Sequence, residues 1–152
     1  MASEKYVKRV ANIQKWIKDY ITNLKGMENF GHLFERHLNH PDEKMMRRCA
    51  HEKCTITSFT GSEEAIVEAI KSLLLTNCDE IVEWLADDSD NEDWILYGDL
   101  SDFDIQGKCY LNSPKHNWKE GPKECSEFVV VLTKKRSKKR LEFLIKSSYP
   151  IY

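Results

Sequence analysis

Glu127-Phe128-Val129-Val130-Val131-Leu132-Thr133, then Lys134-Lys135-Arg136-Ser137-Lys138-Lys139-Arg140, then Leu141-Glu142-Phe143-Leu144-Ile145-Lys146-Ser147 form the stretch that decides the fold. Two runs rich in β-branched and aromatic residues flank a short polar segment, which is how an antiparallel hairpin with a basic tip is written. Working backward, Trp94 to Tyr97 and Lys108 to Leu111 read as further strands. Before them the period is helical. Tyr6, Val10, Ile13, Ile17, Tyr20 and Leu24 recur at spacings of four and three, one stripe of a helix with Gly26 as its stop. The stripe has to be covered, either by docking on the rest of the chain or by a coiled-coil partner, and three heptads favour docking. Gly31 to Leu38 and Pro41 to Ala50 are helix-like, Thr57 to Thr60 is extended or a turn, and Thr60 with Glu63 makes a capping box. Ile66, Ile70, Leu73 and Leu74 then give one helix its buried face, and Ile81, Trp84 and Leu85 another. Helices first and antiparallel strands later predict an α+β class, N-terminal helices followed by a twisted antiparallel sheet.

The chain has 152 residues, room for one core rather than two, and 41% hydrophobic with 32% charged residues argues for a folded protein. Its apolar runs are far shorter than the roughly twenty residues of a membrane span. The N-terminus, Met-Ala-Ser-Glu-Lys-Tyr, lacks the apolar centre of a secretion signal, and five cysteines cannot all pair, so reduced thiols and a cytoplasmic setting are expected.

Charge is segregated. Asp79 to Asp104 holds eleven acidic residues and no Lys or Arg, while Ile105 to Tyr152 holds eleven basic against four acidic, or +7, although the whole chain is −2. A basic half attracts phosphates through its local field, and the same lysines also serve to keep strand hairpins soluble.

Walker, dinucleotide-fingerprint and nucleophile-elbow motifs are missing from the sequence. Cys49, His51 and Cys54, with Cys78 as a fourth, do not match an established zinc spacing, so neither metal nor cofactor is expected. His32, His37, His40 and His51 cluster, with His116 alone later; imidazole is the side chain able to move protons both ways near neutrality. On a helix, Arg36 and His37 would diverge.

Taken in order, Gly31-His32-Leu33-Phe34-Glu35-Arg36-His37, Met45-Met46-Arg47-Arg48, Thr57-Ser58-Phe59-Thr60, Ile81-Val82-Glu83-Trp84-Leu85, Ile105-Gln106-Gly107-Lys108, Phe128 to Leu132 and Ser147-Ser148-Tyr149-Pro150 form a series. The series resembles the bacterial RNase A-like domain at the C-terminus of contact-dependent growth-inhibition toxins, over about residues 27–152, with residues 1–26 as a helical extension outside it. The resemblance implies an RNase A-like fold and a metal-independent endoribonuclease acting on RNA, plausibly tRNA, in the cytoplasm, with a cognate immunity protein as partner. In that family an early His, an Arg on the next helix and Thr-x-Tyr on the last strand make the site. The matching positions are His37, Arg48, Ser147 and Tyr149, with Ser147 standing where the family usually has Thr. His32 is expected near the cleft, and Lys108, Lys134, Lys135 and Arg136 are expected to meet RNA phosphates. The competing reading is a non-catalytic binding protein that keeps the fold and uses the helix over 6–24 as its interaction surface.

Overall fold

The computed structural model describes residues 3–24, 30, 33, 35–137 and 140–152. Expectations at His32 and Gly26 lie outside these. Four long helices come first, α1 (Glu4–Thr22), α2 (Asp42–Glu52), α3 (Glu63–Thr76) and α4 (Cys78–Ala86), with β1 (Ile56–Thr60) between α2 and α3. Then follow β2 (Trp94–Asp99), β3 (Gln106–Tyr110), the two-residue β4 (Lys123–Glu124), β5 (Glu127–Arg136) and β6 (Leu141–Ile151). The architecture is the expected α+β. Its strands make two three-stranded antiparallel sheets, β1-β3-β4 and β2-β5-β6, rather than one.

Helix α1 docks. Ile13, Ile17, Ile21 and Leu24 are buried in the same cluster as α3, α4 and β5, and Trp16 joins Tyr6, Val10 and Tyr20 at its margin. Polar groups fasten both ends. The Arg9 guanidinium donates to the Ala86 carbonyl at 2.7 Å and pairs with Asp88 at 3.1 Å, while the Tyr20 hydroxyl donates to the Phe143 carbonyl at 2.5 Å. Arg140, at the base of the β5–β6 hairpin, lies 4.1 Å over the Trp16 ring, a cation–π contact.

The start of α3 corrects one expectation. Ser62, not Thr60, caps it, its side chain accepting from the Ala65 amide at 3.1 Å, because Thr60 still belongs to β1 and Gly61 turns the chain at φ 144°.

A bulge in β6 sets which residues face the core. Leu132 pairs with Ile145 but Val131 pairs with Ser147, so Lys146 is an extra residue. Strand side chains alternate, and one extra residue inverts the alternation. Ahead of the bulge the odd-numbered Phe143 faces the core; beyond it the even-numbered Ser148 and Pro150 are buried. Ser147 and Tyr149 consequently emerge on the other face. Where β3 crosses this end of β6, a Cβ on Gly107 would sit 2.7 Å from Pro150 Cγ, so only glycine lets the two sheets approach this closely.

Candidate active site

A cleft of about 890 Å³ opens between the sheets, and His37, Arg48, Ser147 and Tyr149 all line it. They arrive by three routes. Residues 35–37 are helical, after which Asn39 takes a left-handed φ of 51°. Asn39 is clamped to β1 and its turn: its amide donates to the Phe59 carbonyl at 2.8 Å, and its side chain exchanges hydrogen bonds with the Gly61 backbone at 2.7 and 3.0 Å. Asn tolerates this conformation because its side chain bonds locally. The clamp puts His37 against β1, where Nδ1–H donates to the Thr57 carbonyl at 3.3 Å. A carbonyl only accepts, so in the neutral ring Nε2 is the basic nitrogen. The His37 ring also lies 5.4 Å from Tyr149, tilted by 40°.

Arg48 rides on α2, which buries Met45 and Cys49 against Ile56 and Tyr110 and thereby turns its neighbouring face to the cleft. Its side chain is 25% exposed, and its guanidinium pairs with Glu52 at 3.4 Å. A phosphate would meet a cation already held in place by a carboxylate. Ser147 and Tyr149, both half-buried, come from β6 beyond its bulge.

Arg36 lines the cleft together with His37. Both residues are helical, and the cleft is wide enough to take both side chains. The cleft also holds a residue that the sequence reading left aside, His116, whose Nδ1 is 3.1 Å from a Glu120 carboxylate oxygen. Its signal was present in the spacing His116-x-x-x-Glu120 and in the capping box that Asn117 forms with Glu120. The bond from His116, with lesser help from the Asn117 amide and the Lys123 charge, holds the Glu120 carboxyl below the usual carboxylate range.

The cations expected at RNA are placed elsewhere. Lys108 pairs with Asp42 at 2.7 Å and lines a different cavity with Asp104 and Glu124. Lys134 donates to the Asp87 carbonyl at 2.8 Å and to that of Asp90, over the Trp84 ring at 5.4 Å. Burial pushes its ammonium pKa down, partly offset by those aspartates. Two of its three N–H donors anchor the acidic loop. Arg136 lines a small cavity with Asp88 and Asn91, and Lys135 sits exposed opposite Glu142 on the hairpin. Among the described residues no group of three or more His, Cys, Asp and Glu is placed to hold a metal ion. Cys78 belongs to the main core and Cys49 to the smaller cluster under α2.

Among solved structures the chain is similar to one described as "Crystal structure of CdiA-CT/CdiI complex from Y. kristensenii 33638". The two share 12% identity over 80% of this chain and 99% of the other, with a TM-score of 0.55, which bears on the fold alone. No curated protein matches. The family profile described as "Bacterial CdiA-CT RNAse A domain" matches residues 31–150, the span that carries α2 to α4, nearly all of both sheets and His37, Arg48, Ser147 and Tyr149, and the chain therefore belongs to that family.

Proposed function

We propose that this protein is a metal-independent endoribonuclease that cleaves RNA, tRNA being the expected target, by attack of the substrate's own 2′-hydroxyl on the adjacent phosphorus. The observation that carries this reading is the meeting of His37, Arg48, Ser147 and Tyr149, drawn from three places in the sequence, in one cleft. Each supplies a different need. The 2′-hydroxyl must lose a proton, and His37, with Nδ1 committed to the Thr57 carbonyl, accepts it at Nε2. The phosphorane carries more charge than the phosphate, so the Arg48 fork, released from Glu52, stabilises the transition state more than the ground state. The Ser147 hydroxyl adds a donor to a phosphoryl oxygen. Tyr149, which packs on His37, holds that ring and offers a phenol to the phosphate or a face to a base. Because RNA brings its own nucleophile, no metal-bound water is required. Products are a 2′,3′-cyclic phosphate and a 5′-hydroxyl.

An immunity protein that covers the cleft restrains the activity, in the cytoplasm where the RNA is found. Support comes from the family and from the solved relative, which is a CdiA-CT/CdiI complex. The competing reading, a non-catalytic protein that recruits a partner through residues 6–24, loses its main surface because the apolar stripe of α1 is buried in the chain's own core.

The test is incubation of tRNA with the protein in EDTA. Wild-type protein is expected to cut and leave the cyclic phosphate, and His37→Ala to cut about a hundredfold slower or less while keeping its melting temperature. Cleavage undiminished in His37→Ala, or abolished by EDTA, overturns the reading.

A further inference from the structure

Transphosphorylation needs a second proton transfer. As the P–O5′ bond breaks, the departing 5′-oxygen must take up a proton, and in-line displacement puts it on the side of phosphorus opposite the attacking 2′-oxygen. Donor and acceptor therefore have to occupy opposing parts of one cleft. Resting on the ribonuclease reading above, we propose that His116 is the residue that protonates the 5′-oxygen, with Glu120 as the carboxylate that positions its ring.

The placement of His116 fits that task. Its ring lines the same cleft as His37, yet it is approached from the far end of β6. His37 packs on Tyr149 at 5.4 Å between ring centroids, and His116 packs on Tyr152 at 6.2 Å. Tyr149 and Tyr152 are different residues of the same terminal segment, so the two imidazoles are seated at different points along the cleft.

The loop carrying His116 is built to hold it still. Ser113 closes a turn, its amide donating to the His116 carbonyl at 2.8 Å and its hydroxyl oxygen accepting from the His116 amide at 3.2 Å. Asn117 caps the short 3-10 helix Trp118–Glu120, and Glu120 answers by accepting from the Asn117 amide at 3.4 Å. The same carboxylate accepts a hydrogen bond from His116 Nδ1–H at 3.1 Å, which leaves Nε2 for proton transfer. Glu120 also meets Lys123 at 3.6 Å, so three elements of the loop converge on it.

The other groups in the cleft are less suited. Arg36 and Arg48 do not release protons, and the phenol of Tyr149 packs beside the base. His116 is 41% exposed at its side chain, open enough to meet a substrate and to recover its proton from water. One turnover moves a proton from the 2′-oxygen to His37 Nε2 and another from His116 Nε2 to the 5′-oxygen, and solvent restores both rings.

The decisive comparison uses two RNA oligonucleotides, one ordinary and one with sulfur replacing the bridging 5′-oxygen at the scissile bond. A thiolate leaves without a proton. His116→Ala is expected to lower kcat on the ordinary RNA by about 10²- to 10⁴-fold and to cut the sulfur substrate within about tenfold of wild type. His37→Ala loses activity on both. Glu120→Gln should lower kcat on ordinary RNA with KM unchanged and leave sulfur cleavage intact. His116→Gln, of similar size and polarity, must repeat the alanine result. Equal loss on both substrates would assign His116 a structural role, and full activity on ordinary RNA would remove it from the reaction; either overturns the proposal. Wild-type protein inert on both substrates would overturn the ribonuclease reading itself, and this inference with it.

Discussion

Deleting Ile145 together with Lys146 tests the argument that the β6 bulge builds the site. Deleting Lys146 alone removes the extra residue and leaves a regular strand with Phe143 and Ser148 still on the core side and Ser147 and Tyr149 still on the other. Removing Ile145 as well forces one side of the strand to reverse its faces. If residues 141–144 reverse, Phe143, fully buried against Tyr20, leaves the core, at about 3 to 5 kcal/mol. If residues 147–151 reverse, Tyr149 is driven into the place of Ser148. Ser148 is 0% exposed and its hydroxyl donates to the Val129 carbonyl at 2.7 Å. Overpacking at about 1 to 3 kcal/mol, plus about 1 kcal/mol for the lost buried bond, makes this the cheaper route. The double deletion is therefore expected to destabilise by at least about 2 kcal/mol, lowering the melting temperature by at least roughly 4 °C for a chain of this size. Because that route withdraws Ser147 and Tyr149 from the cleft, RNA cleavage should fall at least about a hundredfold. Lys146→Ala is the control. It keeps the bulge and removes only the exposed ion pair with Asp93 at 2.8 Å, about 0 to 1 kcal/mol, with cleavage within roughly threefold of wild type. Urea midpoints and initial rates on tRNA read both quantities. A deletion protein with wild-type midpoint and rate, or an alanine variant as damaged as the deletion, would refute the reasoning.

Two further outcomes follow from named groups. His40 is buried and its pKa is lowered, first by that burial and then by the charge of Lys44, with Arg48 and Lys108 adding to it. Its folded pKa thus lies below the unfolded value near 6.5, so the unfolded chain binds the proton more readily and stability falls as pH drops below about 6.5. Urea titrations from pH 7.5 to 5 should show this slope in wild type and a shallower one in His40→Gln; identical slopes would remove His40 as a cause. At Ser147, Ala should slow RNA cleavage about 10- to 100-fold, the worth of a hydrogen bond to a charged oxygen, while Thr should match or exceed wild type because a β-branched residue suits a strand and keeps the hydroxyl in one rotamer. A fast Ala variant would take the hydroxyl out of the reaction.

Much of the fold is readable residue by residue. The spacing of Ile13 and Ile17 places α1 and its buried face, and the two apolar runs flanking Lys134–Arg140 announce β5 and β6. Local patterns fail where a single residue changes the geometry. Thr60 looks like a helix cap until Gly61 turns the chain and gives that position to Ser62. Lys134 looks like a surface cation until the acidic loop folds over it. His116 looks solitary because its significance lies in Tyr152 and the cleft, both remote in the chain.

What the amino-acid order determined by itself was the order of elements, the helical and strand periods, and the residue types able to move protons and neutralise a phosphate, since these are short-range properties of neighbours along the chain. What only tertiary structure decided was which of those residues meet. Phe143, Ile145, Ser147 and Tyr149 alternate as though on one face. Hydrogen bonding to β5 inserts Lys146 as the unpaired residue and sends the last two to the opposite side, toward His37, because strand register is fixed by pairing with a partner rather than by the strand's own sequence.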